Sequence, residues 1–158
     1  MSAENFRVIA RAIILTPNRR IVLVTSRQGN ALVPPGGAVD RGELLPQAAA
    51  REAREECGLD VQVGRAIWLR EFYNRRRARA NLEVYFLAEP APAVALPDRW
   101  TQPDLDRPDL IRSAGLYSQA DLKSVALPVY PTALREAFWA RLAEGFGDAY
   151  LGRVESED

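Results

Sequence analysis

The stretch from Leu44 to Cys57 constrains this chain more than any other. It places Pro46 in a first helical turn, alanines in the middle, and Gly58 where a left-handed cap closes a helix. On such a helix Glu52, Glu55 and Glu56 fall within a sector of about 100°. Ala49, Ala50, Ala53 and Cys57 form a small-residue surface beside them, which lets the helix approach a sheet closely. Glu52 and Glu56 border that surface, and Glu55 lies further round toward solvent. Carboxylates at a helix–sheet seam are shielded from water, so their charges act strongly there. Like charges at i,i+4 repel, and a hard divalent cation taking several carboxylate oxygens compensates them well. The alternative is a solvated helix held by pairs such as Arg51–Glu55.

Two scarcities narrow the chemistry. The chain has no histidine, which removes a Ser-His-Asp triad, a histidine base and a histidine-liganded zinc site. It has one cysteine, Cys57, which removes internal disulfides and paired-cysteine metal clusters; on the alanine face this thiol reads as a small buried hydrophobe. Acid–base and metal work therefore falls to carboxylates, which favour Mg2+ or Mn2+. Formal net charge is zero, which argues against non-specific nucleic-acid binding. Of the 21 basic residues only Lys123 is a lysine, and arginine suits bidentate phosphate contacts. The 158 residues suit one domain, 1–158, of ordinary globular composition. No apolar run approaches the roughly 18 residues of a membrane span. The polar start carries Glu4 where a secretory signal carries positive charge, so a cytoplasmic location is expected.

Periodicity predicts a mixed α/β arrangement that is not doubly wound. Phe6–Leu15 and Ile21–Thr25 read as a strand pair forming a hairpin across Pro17–Arg20. Leu32–Gly37 is a short apolar step into a Pro-Pro-Gly-Gly turn. Val61–Tyr73 and Leu82–Ala88 read as strands joined by an arginine-rich connection, Asn74–Asn81, and Leu110–Tyr117 as a last strand. Glu89–Asp109, with five of the eleven prolines, reads as a long irregular loop. Thr132–Leu142 reads as a second helix with Leu134, Phe138 and Leu142 on one stripe. The acidic end from about residue 153, Glu155–Asp158 above all, reads as a disordered tail.

The full segment runs Gly37, five residues, Glu43, seven residues, then Arg51-Glu52-Ala53-Arg54-Glu55-Glu56-Cys57-Gly58-Leu59. It matches the pattern G-x5-E-x7-R-E-U-x-E-E-x-G-U at all fixed positions, with Ala53 and Leu59 in the apolar slots. A chance match of this kind is on the order of 10^-8 per start site at average residue usage. On these residues the chain resembles the Nudix hydrolases. The resemblance implies an α/β/α sandwich with a mixed sheet, and metal-assisted hydrolysis of a phosphoanhydride by in-line attack of water. It further implies that Glu52, Glu55 and Glu56, with the carbonyl of Gly36, ligate Mg2+ or Mn2+. Glu43 would orient water or a second metal, and Arg51 would hold the glutamates in place. The small Ala53 is the one soft departure, and it touches packing rather than chemistry.

The implied substrate is a nucleoside diphosphate linked to another group, or a nucleoside triphosphate. A non-nucleotide diphosphate and a nucleotide-sensing module without turnover are the alternatives; an intact glutamate set speaks against the sensor. A DNA-binding regulator lacks room for its own domain, and an RNA-end processing enzyme needs a basic groove. Many relatives are homodimers, so a homodimer is expected. The general base is open among Glu83, Glu89, Glu71 and a box glutamate. Glu83 shares a strand face with Tyr85, the alternative being a solvent-facing strand residue. Arg27 and Tyr85 are candidate substrate contacts. Arg75, Arg76, Arg77 and Arg79 read better as a solvated hairpin tip than as a phosphate flap.

Overall fold

The computed structural model describes residues 6–92 and 95–156. Strands β1 (Phe6–Ile14), β4 (Gly36–Ala38), β5 (Val61–Asn74), β6 (Arg79–Pro90) and β9 (Tyr150–Ser156) form one sheet in the order β4-β1-β6-β5-β9. The sheet is mixed: β1 pairs parallel with β6 and antiparallel with β4, while β5 pairs antiparallel with β6 and parallel with β9. A second, antiparallel sheet runs β3-β2-β8-β7, built from β3 (Leu32–Val33), β2 (Ile21–Thr25), β8 (Ile111–Tyr117) and β7 (Arg99–Pro103).

Helix α1 (Leu45–Cys57) lies over both sheets. Its Ala48, Ala49, Ala53 and Cys57 pack with Ala10, Ala12 and Ile14 of β1, Val84 and Phe86 of β6, and Val22 and Ala114 of the second sheet. These side chains are small on both sides of the contact, which is what lets the helix sit close. The opposite faces carry Ile13, Tyr85, Trp68, Leu23 and Tyr117, covered by α2 (Gln119–Ser124) and α3 (Ala137–Glu144). The result is the expected α/β/α layering. Among the described residues no helix is long and apolar enough to cross a membrane.

The predicted hairpin does not form as a ladder. β1 and β2 share only the bridge Leu15↔Ile21 and then diverge into different sheets. β2 is almost continuously buried and β1 is buried over most of Ile9–Ile14, as central strands are; β1 finds β4 and β6, and β2 finds β3 and β8. The predicted long loop holds β7, paired residue for residue with β8. The predicted second helix is broken: Thr132–Leu134 is a 3-10 turn, and α3 begins only at Ala137. At the break Arg135 turns back to donate to the carbonyls of Leu122 and Leu127, and Glu136 leaves helical geometry at φ −137°. The apolar stripe survives the break, with Leu134 and Phe138 fully buried. The expected disordered tail is also corrected: Arg153–Ser156 belong to β9, and Glu155 pairs with Arg75 and Arg153. Glu157 and Asp158 lie outside the described residues.

Candidate active site

Two glycines bring the predicted helix and the edge of the sheet together. Strand β4 is registered against β1 as Ala10↔Gly37 and Arg11↔Gly36. The Gly36 N–H donates to Glu56 Oε2 at 3.0 Å. A Cβ on Gly37 would stand 2.2 Å from Glu52 Oε1, and one on Gly36 would stand 2.4 Å from the Ala10 carbonyl oxygen. Only bare backbone lets the carboxylates of α1 reach the strand this closely.

Arg51 is the hub of the segment. Its Nε donates to Glu43 Oε1 at 2.9 Å and its Nη2 to Glu43 Oε2 at 3.0 Å. Nη1 reaches Glu52 Oε1 at 3.0 Å and Glu55 Oε2 at 3.2 Å, and Nη2 also meets the Ala38 carbonyl at 3.0 Å. Glu43 Oε2 in turn accepts the Asp40 N–H. The i,i+4 pair Arg51–Glu55 is thus present, as one spoke of a larger net.

Side-chain exposure rises from Glu56 (7%) through Glu52 (13%) to Glu55 (20%), with Glu55 the most exposed of the three as helix geometry implies. Burial, and next the neighbouring charge of Glu56, push the Glu52 carboxyl up to about 7. Burial also pushes Glu56 up, against the pull of Arg112 and the Gly36 N–H. Among the described residues no three acidic side chains stand as a ready-made ligand group. Arg51 and Arg112 draw the carboxylate oxygens toward themselves instead. The donor set nevertheless fits a hard divalent cation: it is all oxygen, and it holds two largely buried carboxylates, the charge of Glu56 raising the proton affinity of Glu52.

Sequence reasoning missed Arg112 and Asp104. Arg112 Nη2 donates to Glu56 Oε1 at 2.6 Å and its Nε to Asp104 Oδ2 at 2.9 Å, all three residues being buried. The available signal was an arginine at an inward-facing position of an otherwise apolar strand, Arg112 beside exposed Ser113 and buried Ala114.

The other predicted residues fall elsewhere. Glu83 does not face solvent: it is 4% exposed on the sheet face opposite α1. There it accepts from Arg70 at 2.8 Å, from Arg11 at 3.2 and 3.3 Å, and from the Tyr85 hydroxyl at 2.6 Å. Burial opposes ionisation, but Arg11 and Arg70 outweigh it and bring the carboxyl down to about 2. Tyr85 is fully buried beneath this cluster, so its ring presents no face to a substrate. Arg27 is exposed in the turn after β2 and takes no part in the hydrogen bonds that tie the segment together. Glu71 is exposed and accepts from the Tyr150 hydroxyl, and Glu89 is exposed. Trp68 is core, against Phe138 and Phe146. Cys57 is buried in the alanine face, as expected.

A family model described as the NUDIX domain matches residues 5–127, most of the chain. This chain belongs to the Nudix family. As a Nudix hydrolase it stands among the pyrophosphohydrolases, a family that generally uses divalent metals. Solved structures with the same fold include a Nudix hydrolase from Nitrosomonas europaea, 18% identical, covering 95% of this chain and 79% of that one at a TM-score of 0.65. An ADP-ribose pyrophosphatase from Streptococcus suis is 21% identical, with 95% and 98% coverage and a TM-score of 0.58. A Nudix hydrolase from Clostridium perfringens is 16% identical, with 86% and 97% coverage and a TM-score of 0.66. No curated protein matches the chain. The Nudix box thus occupies β4, α1 and the turns around them, while Asp104 comes from the turn after β7 and Arg112 from β8, outside it.

Proposed function

We propose that this Nudix enzyme hydrolyses the pyrophosphate linkage of a nucleoside diphosphate joined to another group, or of a nucleoside triphosphate, using Mg2+ or Mn2+. The observation that carries the reading is the placement of Glu56 against Gly36 and Glu52 against Gly37 at the helix–sheet seam, with Glu55 tied to Glu52 through Arg51. These glutamates and the Gly36 carbonyl would hold the cation, which when bound neutralises phosphate charge and lowers the pKa of a water. Arg51 keeps Glu43, Glu52 and Glu55 on one side of α1, and Glu43 fixes the loop through the Asp40 N–H.

The proton acceptor is assigned to a box glutamate rather than Glu83. A carboxyl held near 2 by two arginines is a weak base, and Glu83 lies on the sheet face opposite α1. Support for the nucleotide class comes from fold neighbours named as an ADP-ribose pyrophosphatase and a UDP-X diphosphatase. The two sheets share one helical cover in α1, which supports reading residues 1–158 as one domain.

The test is turnover of nucleoside triphosphates, nucleotide sugars, dinucleoside polyphosphates and ADP-ribose with Mg2+, read by chromatography, with Glu56→Gln alongside. Metal-dependent turnover lost in Glu56→Gln supports the proposal. Ligand binding without turnover across the panel would replace it with a nucleotide sensor.

A further inference from the structure

Strand β7 and the turn into β8 form a clamp on the catalytic end of α1. The last carbonyls of a helix have no partner within it. Here Trp100 Nε1 donates to the Cys57 carbonyl at 2.9 Å, and Gln102 Nε2 to the Glu55 carbonyl at 3.2 Å. The Leu105 N–H meets the Glu55 carbonyl as well, at 3.2 Å. The clamp therefore grips the backbone of Glu55 and of Cys57, on either side of Glu56.

Arg112 extends the clamp to a carboxylate itself. Its guanidinium bridges Glu56 and Asp104, with the arginine side chain 5% exposed and both partners 7%. Asp104 is fixed in turn: its Oδ1 accepts the N–H groups of Asp106 and Arg107 at 3.0 Å, and its own N–H donates to the Leu110 carbonyl at 2.8 Å. On its far side Glu56 Oε2 takes the Gly36 N–H. Each Glu56 oxygen is thus held by one hydrogen bond from a different element. A carboxylate offers about four lone-pair sites, so roughly two remain directed elsewhere. That is the condition of a ligand aimed by its neighbours and still able to bind.

We propose that Arg112, anchored by Asp104, is a positioning residue that aims the Glu56 carboxylate at a divalent cation, making the β7–β8 turn part of the catalytic machinery. The inference rests on the metal reading of Glu52, Glu55 and Glu56. The rival explanation is an ion pair that serves only the core. Buried ion pairs are weak contributors to net stability compared with apolar packing, so stability alone does not call for this one. The geometry also requires a planar fork that meets two carboxylates at once, which a lysine ammonium does not supply.

The test is direct Mn2+ binding to the purified full chain, read by electron paramagnetic resonance of the free ion, with thermal melts of the metal-free protein alongside. Removing a group that orients a metal ligand commonly costs about 10–100-fold in affinity. Arg112→Met is expected to weaken Mn2+ by that factor, and Arg112→Lys to recover part of it. Asp104→Asn keeps the oxygen that closes the turn and removes the charge that anchors Arg112, so it should weaken Mn2+ in the same direction by a smaller factor. Should Arg112→Met fail to fold, Asp104→Asn decides. Melting temperatures that fall while the Mn2+ Kd of the folded variants stays within about twofold of wild type would mark a core ion pair and overturn the inference, provided Glu56→Gln weakens Mn2+. Unchanged Mn2+ binding in Glu56→Gln would instead overturn the metal reading beneath it.

Discussion

Gly36 and Gly37 are neighbours in sequence, yet the structure predicts opposite consequences for replacing them by alanine. At Gly37 a Cβ would meet only the far end of one side chain, Glu52 Oε1 at 2.2 Å, with its carboxyl carbon at 2.6 Å. Ordinary contact begins near 3.4 Å, so the carboxylate oxygen must retreat by about 1 Å, which a glutamate does by rotating. Metal–oxygen distances tolerate only about 0.2 Å, and a misplacement of about 1 Å at a reacting centre costs on the order of 100-fold in rate. At Gly36 the Cβ would meet the Ala10 carbonyl oxygen at 2.4 Å and Arg11 Cα at 2.7 Å, both backbone. Relief there means moving β4 from β1, an overpacking cost of about 1–3 kcal/mol or more. Gly37→Ala should therefore melt close to wild type while losing about 100-fold in kcat and weakening Mn2+. Gly36→Ala should melt well below both. Chemical denaturation, steady-state kinetics and Mn2+ titration on the three proteins check this. Full activity in Gly37→Ala, or a larger stability loss there than in Gly36→Ala, would refute the reasoning.

Glu83→Gln removes the one anion between Arg11 and Arg70, so a stability loss of about 3 kcal/mol is expected in urea denaturation; a general base would instead show lost kcat with unchanged stability. The Glu83 carboxyl titrates at about 2 in the folded chain against about 4.3 unfolded, so its stabilisation is complete above pH 4.3 and is lost as pH falls toward 2. Acid denaturation of Glu83→Gln should lack that part of the slope. Glu52 has the opposite sign: its carboxyl sits at about 7, so the metal-free fold binds more protons than the unfolded chain between about pH 4.3 and 7 and loses stability as pH rises through that window. Thermal melts with EDTA should show this decline, and Glu52→Gln should flatten it. Gly58→Ala places a side chain at φ +69° and 2.2 Å from Gln102 Oε1, costing about 1–2 kcal/mol in denaturation midpoint and loosening the end of α1.

What the sequence made legible follows from how local each signal is. The box is local: Gly37 to Leu59 carry their spacing in one helix and its entry turn, so the greater exposure of Glu55 beside Glu52 and Glu56 follows from helix geometry alone. The positions of β1, β2, β5, β6 and β8 were legible from apolar runs, but β7, β9 and the pairings were not. β1 and β2 look like a hairpin because they are adjacent, and nothing in either strand names β6 or β8 as its partner. Buried arginines were illegible for a related reason. Arg11, Arg70 and Arg112 sit on strands where polarity reads as exposure, and only register brings Arg70 opposite Glu83 and Arg112 beneath Glu56. Glu83 was read from its own strand, so its two arginine partners from β1 and β5 stayed out of sight.

Charge accounting shows why these hidden arginines matter. Counted as ionised, Glu43, Glu52, Glu55, Glu56 and Asp104 contribute −5 on the α1 side, while Arg51 and Arg112 contribute +2, leaving −3. On the opposite sheet face Arg11 and Arg70 against Glu83 leave +1. The two clusters are built from the same residue types with opposite outcomes. The Glu83 cluster carries a surplus of positive charge, which suits a structural tie and holds its carboxyl low. The α1 cluster is short of positive charge even with both arginines in place; burial first, and the neighbouring Glu56 charge next, raise Glu52, and burial raises Glu56. A pyrophosphate bears negative charge and would be repelled by that surplus. A site left at −3 beside a phosphoanhydride calls for cations to complete it, so on the proposed function EDTA is expected to abolish substrate binding as well as turnover, and substrate binding that survives EDTA would refute that reading.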